Sequence, residues 1–228
     1  LARSRIILLA VIIVISFILI AVSFMGEQHY LLVSFFFVIF TFLPFIIRFE
    51  RRKVAGRELV MLAVLGAIAA VSRVPFASIP SVQPTTFVII VTGIAFGAES
   101  GFVVGALAAL VSNLFLGQGP WTPWQMYAWG MIGLSAGLLR NTWMMKRSYG
   151  RIMFGFMTGI LFGWVMNLWY FVSLGEQVEL ATIMTYYGAS FYFDLAHGLS
   201  NVFFLLIFAS SWIKILQRFR KKYGLFER

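Results

Sequence analysis

Asp194, His197 and Asn201 stand at i, i+3 and i+7 in an otherwise apolar stretch. On a helix that spacing puts all three on one face. Asn113 and Asn167 are two more polar side chains set inside apolar runs. Where water is scarce, such groups can do two things. They can hydrogen-bond a ligand that enters among them, or they can bond one another and hold helices together. Arg73 adds a guanidinium at the edge of a proline-containing segment. It could donate to ligand oxygens, pair with Asp194, or reach a polar interface while its stem stays in apolar surroundings.

Hydrolytic and metal chemistry have less to work with. Gly133-Leu-Ser135-Ala-Gly137 fits the letters Gly-x-Ser-x-Gly, and with His197 it would spell an intramembrane serine protease. That motif works at a strand-to-helix elbow, whereas here it lies inside a helical apolar run, where small residues are common anyway. The chain has 2 His and no Cys, and His29 and His197 are far apart, so a metal cluster and a thiol nucleophile are excluded. No Gly-x-x-x-x-Gly-Lys-Ser/Thr run is present, so the chain does not bind ATP through a P-loop.

Recognition chemistry is concentrated in Gly117-Gln-Gly-Pro-Trp-Thr-Pro-Trp-Gln125, with two each of Gly, Pro, Trp and Gln in nine residues. Two more segments are similar in kind. Val74–Pro84 holds Pro75, Pro80 and Pro84, and Gly175–Tyr187 holds Glu176, Glu179, Tyr186 and Tyr187. The tryptophans fit an interfacial belt, and the prolines fit turn punctuation. Together they also fit a ligand cap of stiff backbone and flat aromatic faces.

These residues have to be positioned by helices in a membrane. Soluble domains carry about 25% charged residues, but this chain of 228 residues is 61% apolar and 11% charged. A cytosolic enzyme, a disordered chain and a disulfide scaffold are excluded. Apolar runs at Ile6–Met25, Leu31–Ile47, Leu59–Ser72, Phe87–Gly97, Gly101–Leu116, Met126–Leu139, Ile152–Leu174 and Gly188–Ile213 give eight candidate spans. A crossing takes about 20 residues. The first two and last two runs suffice alone, and the middle four need flanking residues or surrounding protein. Strict period-2 alternation is absent, so a barrel is excluded.

With eight spans both termini share one side, and of the 18 Lys and Arg only Arg73 falls on the other. The positive-inside rule makes the basic side cytoplasmic. The net charge of +10 is then a topology and lipid signal rather than a nucleic-acid patch. Residues 1–25 offer a second reading as a signal peptide, with Arg3, Arg5 and Ala21-Val-Ser23. Their apolar stretch exceeds the roughly 7–15 residues of such segments, so a span is expected. The chain starts with Leu1, so a trimmed N-terminus is expected too. Small-xxx-small pairs occur at Ala63/Ala67 and Gly66/Ala70, and again at Gly101/Gly105/Ala109. They serve either internal packing or docking of another membrane subunit.

The stretch Val82–Leu139 resembles the substrate-binding S components of energy-coupling factor (ECF) vitamin transporters, most closely the cobalamin type. Val82-Gln-Pro-Thr-Thr-Phe87, Gly93-Ile-Ala-Phe-Gly97, Gly101-Phe-Val-Val-Gly105, Ser112–Met126 and Gly130–Gly137 carry the resemblance. It extends over about residues 57–215 and implies an all-α integral membrane protein. A six-helix core over 57–228, with a basic tail, would follow a two-helix extension over 1–56 that departs from the family pattern. The resemblance implies a plasma-membrane subunit that binds a vitamin from outside and topples to deliver it. Its partners would be a transmembrane coupling subunit and two cytosolic ATPases, with no enzyme activity and no permanent cofactor of its own.

The family's loops after the first and third core helices contact substrate, here Val74–Pro84, including Gln83 and Pro84, and Gly117–Gln125. The family's alanine-rich docking face matches Ala63 and Ala67, with Gly66 and Ala70 beside them. A corrin's apolar faces suit Trp121, Trp124, Tyr127 and Tyr170, and its peripheral amides suit Gln83, Asn113, Gln118, Gln125 and Asn167. Arg73, Asp194, His197 and Asn201 complete the expected site, with His197 as an axial cobalt ligand or as a hydrogen-bonded core histidine. Riboflavin or another flat heterocycle would suit the same side chains. A structural membrane protein held together by its polar groups is the reading of another class.

Overall fold

The computed structural model describes residues 55–174 and 179–226. Both expected N-terminal spans lie outside the described residues, as do Glu176 and every basic residue before Arg57. The described residues form seven α-helices and a short 3-10 turn, with no strand among them. α1 (Gly56–Val71) leads through the 3-10 turn Val74–Phe76 into α2 (Thr85–Phe96). α3 (Ala98–Leu116), α4 (Thr122–Leu138), the short α5 (Trp143–Lys146), α6 (Ser148–Leu174) and α7 (Leu180–Tyr223) follow.

Each of the six apolar runs expected after residue 57 coincides with a helix. Four stretches are long and apolar enough to cross a membrane unaided: Gly56–Phe76, Ala98–Leu116, Ser148–Phe171 and Leu180–Tyr223. α2 has only 12 residues and α4 has 17. At about 1.5 Å per residue both fall short of a hydrocarbon core about 30 Å thick. α2 is stable because protein surrounds it, and every one of its residues is buried. Thr92 returns its hydroxyl to the Val88 carbonyl at 2.7 Å.

Glycine lets α3 and α4 touch backbone to backbone. A Cβ on Gly133 would enter the backbone of Gly101, and a Cβ on Gly101 would enter that of Gly133. The Gly101/Gly105/Ala109 stripe is therefore an internal seam, with Gly105 against the backbone of Trp129 and Gly130 and Ala109 fully buried. Ser135 sits inside α4 between Gly133 and Gly137, so the Gly-x-Ser-x-Gly letters mark helix packing and not a strand-to-helix elbow. Gly97, at φ 106°, makes the sharp turn from α2 to α3 that a side chain would strain. The small residues of α1 divide between two faces. Gly66 packs on Leu107 and Ala70 is buried, while Ala63 and Ala67 are exposed beside Val60, Val64 and Ile68.

One end of the bundle is stitched by polar contacts and carries the described cations except Arg73. Glu58 accepts the Ala55 N–H at 3.3 Å with one carboxylate oxygen and the Phe226 N–H at 2.7 Å with the other. Arg220 donates to the Ala95 carbonyl at 3.1 Å, and Arg151 donates to those of Met145 and Lys146 at 3.0 and 3.2 Å. Gly224, left-handed at φ 56°, closes α7 and lets Leu225 return its N–H to Arg220.

α7 corrects one expectation. Its 44 residues start at Leu180, so Tyr186 and Tyr187 belong to its first turns and not to a connecting loop. The helix also continues past Ile213 through the basic residues as far as Tyr223. Its length, about 66 Å at 1.5 Å per residue, is about twice the hydrocarbon thickness.

Candidate polar and aromatic binding site

The end opposite the cation cluster is built from hydrogen-bonding side chains. Arg73, just past α1, donates to Ser112 Oγ and to Asn113 Oδ1 at 3.1 Å, both on α3. Asn113 passes the network on through its Nδ2, donating to Thr122 Oγ1 at 3.0 Å and to Gln125 Oε1 at 2.8 Å on α4. Thr122 donates to Gln118 Oε1 at 3.0 Å, and Gln118 in turn donates to the Leu110 carbonyl at 2.8 Å. The network thus links the segment after α1 to α3, and α3 to α4. The Arg73 guanidinium also covers the Trp129 ring, 4.8 Å from its centroid.

Trp129 connects Arg73 to the centre of the bundle. Its indole N–H donates to Thr86 Oγ1 at 3.1 Å, and the same hydroxyl lies 2.9 Å from His197 Nε2. Phe162 of α6 stacks on Trp129 at 5.0 Å and meets the His197 ring edge-on at 4.8 Å. Arg73, Trp129, Thr86 and His197 thus form one connected layer drawn from four parts of the chain. Arg73 bonds Ser112 and Asn113, not Asp194.

Above that layer α6 and α7 continue. Thr86 is in the first turn of α2 and meets His197, whereas α7 begins at Leu180. At about 1.5 Å per residue α7 runs on for about 26 Å beyond this level. Asp194, His197 and Asn201 are all buried on the face the spacing assigns them. Asp194 lies against Gly163, where a Cβ would strike its carboxylate. Asn167 donates to Ser190 Oγ at 2.7 Å, one helical turn from Asp194, and Asn201 donates to the Gly155 carbonyl at 2.9 Å. Ser200 takes the Gln83 backbone N–H at 3.0 Å, which pins the proline-containing segment to α7.

Aromatic rings line the same end. Trp121 meets Trp169 at 5.8 Å, Trp169 meets Tyr170 at 6.5 Å, and Tyr170 stacks on Tyr186 at 4.2 Å. Trp124 and Tyr127 are buried in α4, Pro84 is buried at the start of α2, and Gln118 is exposed. The arrangement brings hydrogen-bonding side chains and flat aromatic faces together at one end of the bundle. Among the described residues no group of three His, Cys, Asp or Glu could hold a metal.

The family of the ECF transporter substrate-specific component matches residues 57–217, well over half of the chain. The chain belongs to this family. A UPF0397 protein of Vibrio atlanticus (strain LGP32) is 27% identical over 89 residues, covering 37% of this chain and 48% of that protein. The chain thus matches about half the length of this curated relative. No solved structure matches it.

In this S component most of the anticipated polar residues fall into two groups. Arg73, Asn113, Gln118 and Gln125 share one network, joined through Trp129 and Thr86 to His197. Asn167, Asp194 and Asn201 lie along the α6–α7 contact. Sequence reasoning missed Thr86, Ser112, Thr122, Trp129 and Ser190. Thr122, Gln125 and Trp129 have the same i, i+3, i+7 spacing as the α7 residues, so that signal was present on α4 as well. Thr86 and Ser112 carry no comparable pattern, because the contacts that tie them into the network, with Trp129 and His197 and with Arg73, are distant in sequence.

Proposed function

We propose that this S component captures a vitamin at its polar, aromatic end and hands it inward, with cobalamin or cobinamide as the first substrate to test. The observation that supports this most is the segregation of the two ends. One gathers the cations and the stitched helix ends, and the other gathers Arg73 with Asn113, Gln118, Gln125 and Asn167 and the Trp121–Trp169 pair. Under the positive-inside rule the first is cytoplasmic and the second faces out. Cobalamin is favoured by the Gly117–Gln125 run, and a corrin matches flat rings flanked by carboxamides. Transport would need a transmembrane coupling subunit and two ATPases, because this chain has no nucleotide motif. Exposed Ala63 and Ala67 would meet the coupling subunit, and the S component would topple in the membrane to deliver its load.

The deciding experiment is uptake of labelled cobalamin by cells that express this chain together with coupling and ATPase subunits. ATP-dependent accumulation is the expected result. Accumulation of riboflavin instead would replace the substrate and keep the class. Accumulation of no vitamin would favour the structural reading, for which the Asn201–Gly155 contact, a direct helix-to-helix hydrogen bond, is the specific support.

A further inference from the structure

Among the described residues, three buried side-chain oxygens near the site have no hydrogen-bond partner: Gln83 Oε1, Asp194 Oδ2 and Asn201 Oδ1. All three lie along one short stretch of α7. Asp194 and Asn201 are two turns apart on that helix, and Gln83 is held to it by its backbone bond to Ser200. Asp194 is 4% exposed and Asn201 is fully buried. Their own donors and second oxygens are committed locally, since Asn201 Nδ2 holds Gly155 and the Asp194 carboxylate rests on Gly163 beside Ser190. All three groups are acceptors. In a low-dielectric interior an acceptor without a donor is expensive, and a carboxylate oxygen is the most expensive of all. The donor-rich member of the site, Arg73, is turned to Ser112, Asn113 and Trp129.

We propose that Asp194 is the specificity-determining residue of the site. It receives an N–H donor of the substrate, so the substrate presents neutral amides or a cationic nitrogen, and not an anion, to the α7 side. This rests on the reading above that the chain binds a vitamin, but it concerns the polarity of the ligand and not its name. An amide N–H or an ammonium would satisfy Asp194 Oδ2 and, from neighbouring groups of the same molecule, Gln83 and Asn201. A carboxylate or phosphate in the same place would face the three oxygens Gln83 Oε1, Asp194 Oδ2 and Asn201 Oδ1.

The test uses the full chain purified in detergent and a panel sorted by charge. Cyanocobalamin and riboflavin are the neutral donor-rich probes, thiamine is the cation, and biotin, pantothenate and nicotinate are the anions. Thermal stabilisation finds the ligand and titration gives its Kd. Stabilisation by a neutral or cationic probe is expected, with Asp194→Asn weakening it at least tenfold while the Tm of the free protein holds or rises. For cyanocobalamin a sharper arm exists. Wild type should reject the monocarboxylic acid made by hydrolysing one side-chain amide, by tenfold or more. Asp194→Asn, which can offer an N–H, should lose that discrimination. Asn201→Asp and Asp194→Ser serve as second variants should Asp194→Asn unfold. An anionic ligand, or undiminished affinity and discrimination in the variants, overturns the role of Asp194 and leaves the transporter reading intact. If no probe on the panel binds, the vitamin reading falls and the role of Asp194 falls with it.

Discussion

Arg73 lies over the face of Trp129, 4.8 Å from the ring centroid, while its N–H groups hold Ser112 and Asn113 on the neighbouring helix. The one described cation away from the basic end is thus fixed by a ring on α4 and by two side chains on α3. Lysine would keep the charge but lose the planar fork and the stacking. Arg73→Lys is expected to cost about 1–2 kcal/mol, read as a fall in Tm of the detergent-purified chain. An unchanged Tm would show that the contact over Trp129 carries little.

Thr86 is the hinge of the inner layer, because one hydroxyl serves both the Trp129 indole and His197. Thr86→Val keeps the shape and leaves two buried groups without a partner, at a cost of about 1–3 kcal/mol. Thr86→Ser keeps the hydroxyl and should recover most of that loss. Thermal unfolding of the pair checks the order, and equal values would mean that the hydroxyl bonds contribute nothing net.

The α3–α4 seam has no room for a methyl group. Gly133→Ala would drive a Cβ into the Gly101 backbone and should cost at least about 1–3 kcal/mol, or abolish folding. Ser135→Ala, two residues along, should change stability by less than about 0.5 kcal/mol. A fluorophosphonate probe should leave Ser135 unlabelled. Labelling at that residue would revive hydrolytic chemistry for this helix.

The division of the α1 stripe separates an exposed face, Ala63 and Ala67, from a packed one, Gly66 and Ala70. Ala63→Trp or Ala67→Trp should block uptake by the assembled transporter and leave vitamin binding by the purified chain unchanged. Gly66→Ala, which meets Leu107 at 3.2 Å, should instead act on stability. Normal uptake with both tryptophan variants would move the docking surface elsewhere.

Much of the fold was legible because apolar length and the distribution of cations are strong signals in a membrane chain. All six expected core runs became helices, and the i, i+3, i+7 spacing placed Asp194, His197 and Asn201 on a single buried face. What the sequence hid was long-range pairing. Nothing local says that Thr86 will meet His197 or that Arg73 will cover Trp129, since those contacts depend on how four segments come together. The start of α7 was also hidden, because polar residues such as Thr182, Thr185 and Tyr187 read as a loop when counted by hydropathy. In a helix that outruns the bilayer they need not be apolar. Gly101 and Gly133 were visible as small residues, yet their partnership with each other was not.

Glu58 gives the bundle a clasp. Its two carboxylate oxygens tie down the amides of Ala55 and Phe226, the two extremities of the described core. Unravelling from either extremity must therefore break the same side chain first. Amides near Ala55 and near Phe226 should exchange with solvent deuterium through a shared opening event, and Glu58→Gln should speed both together.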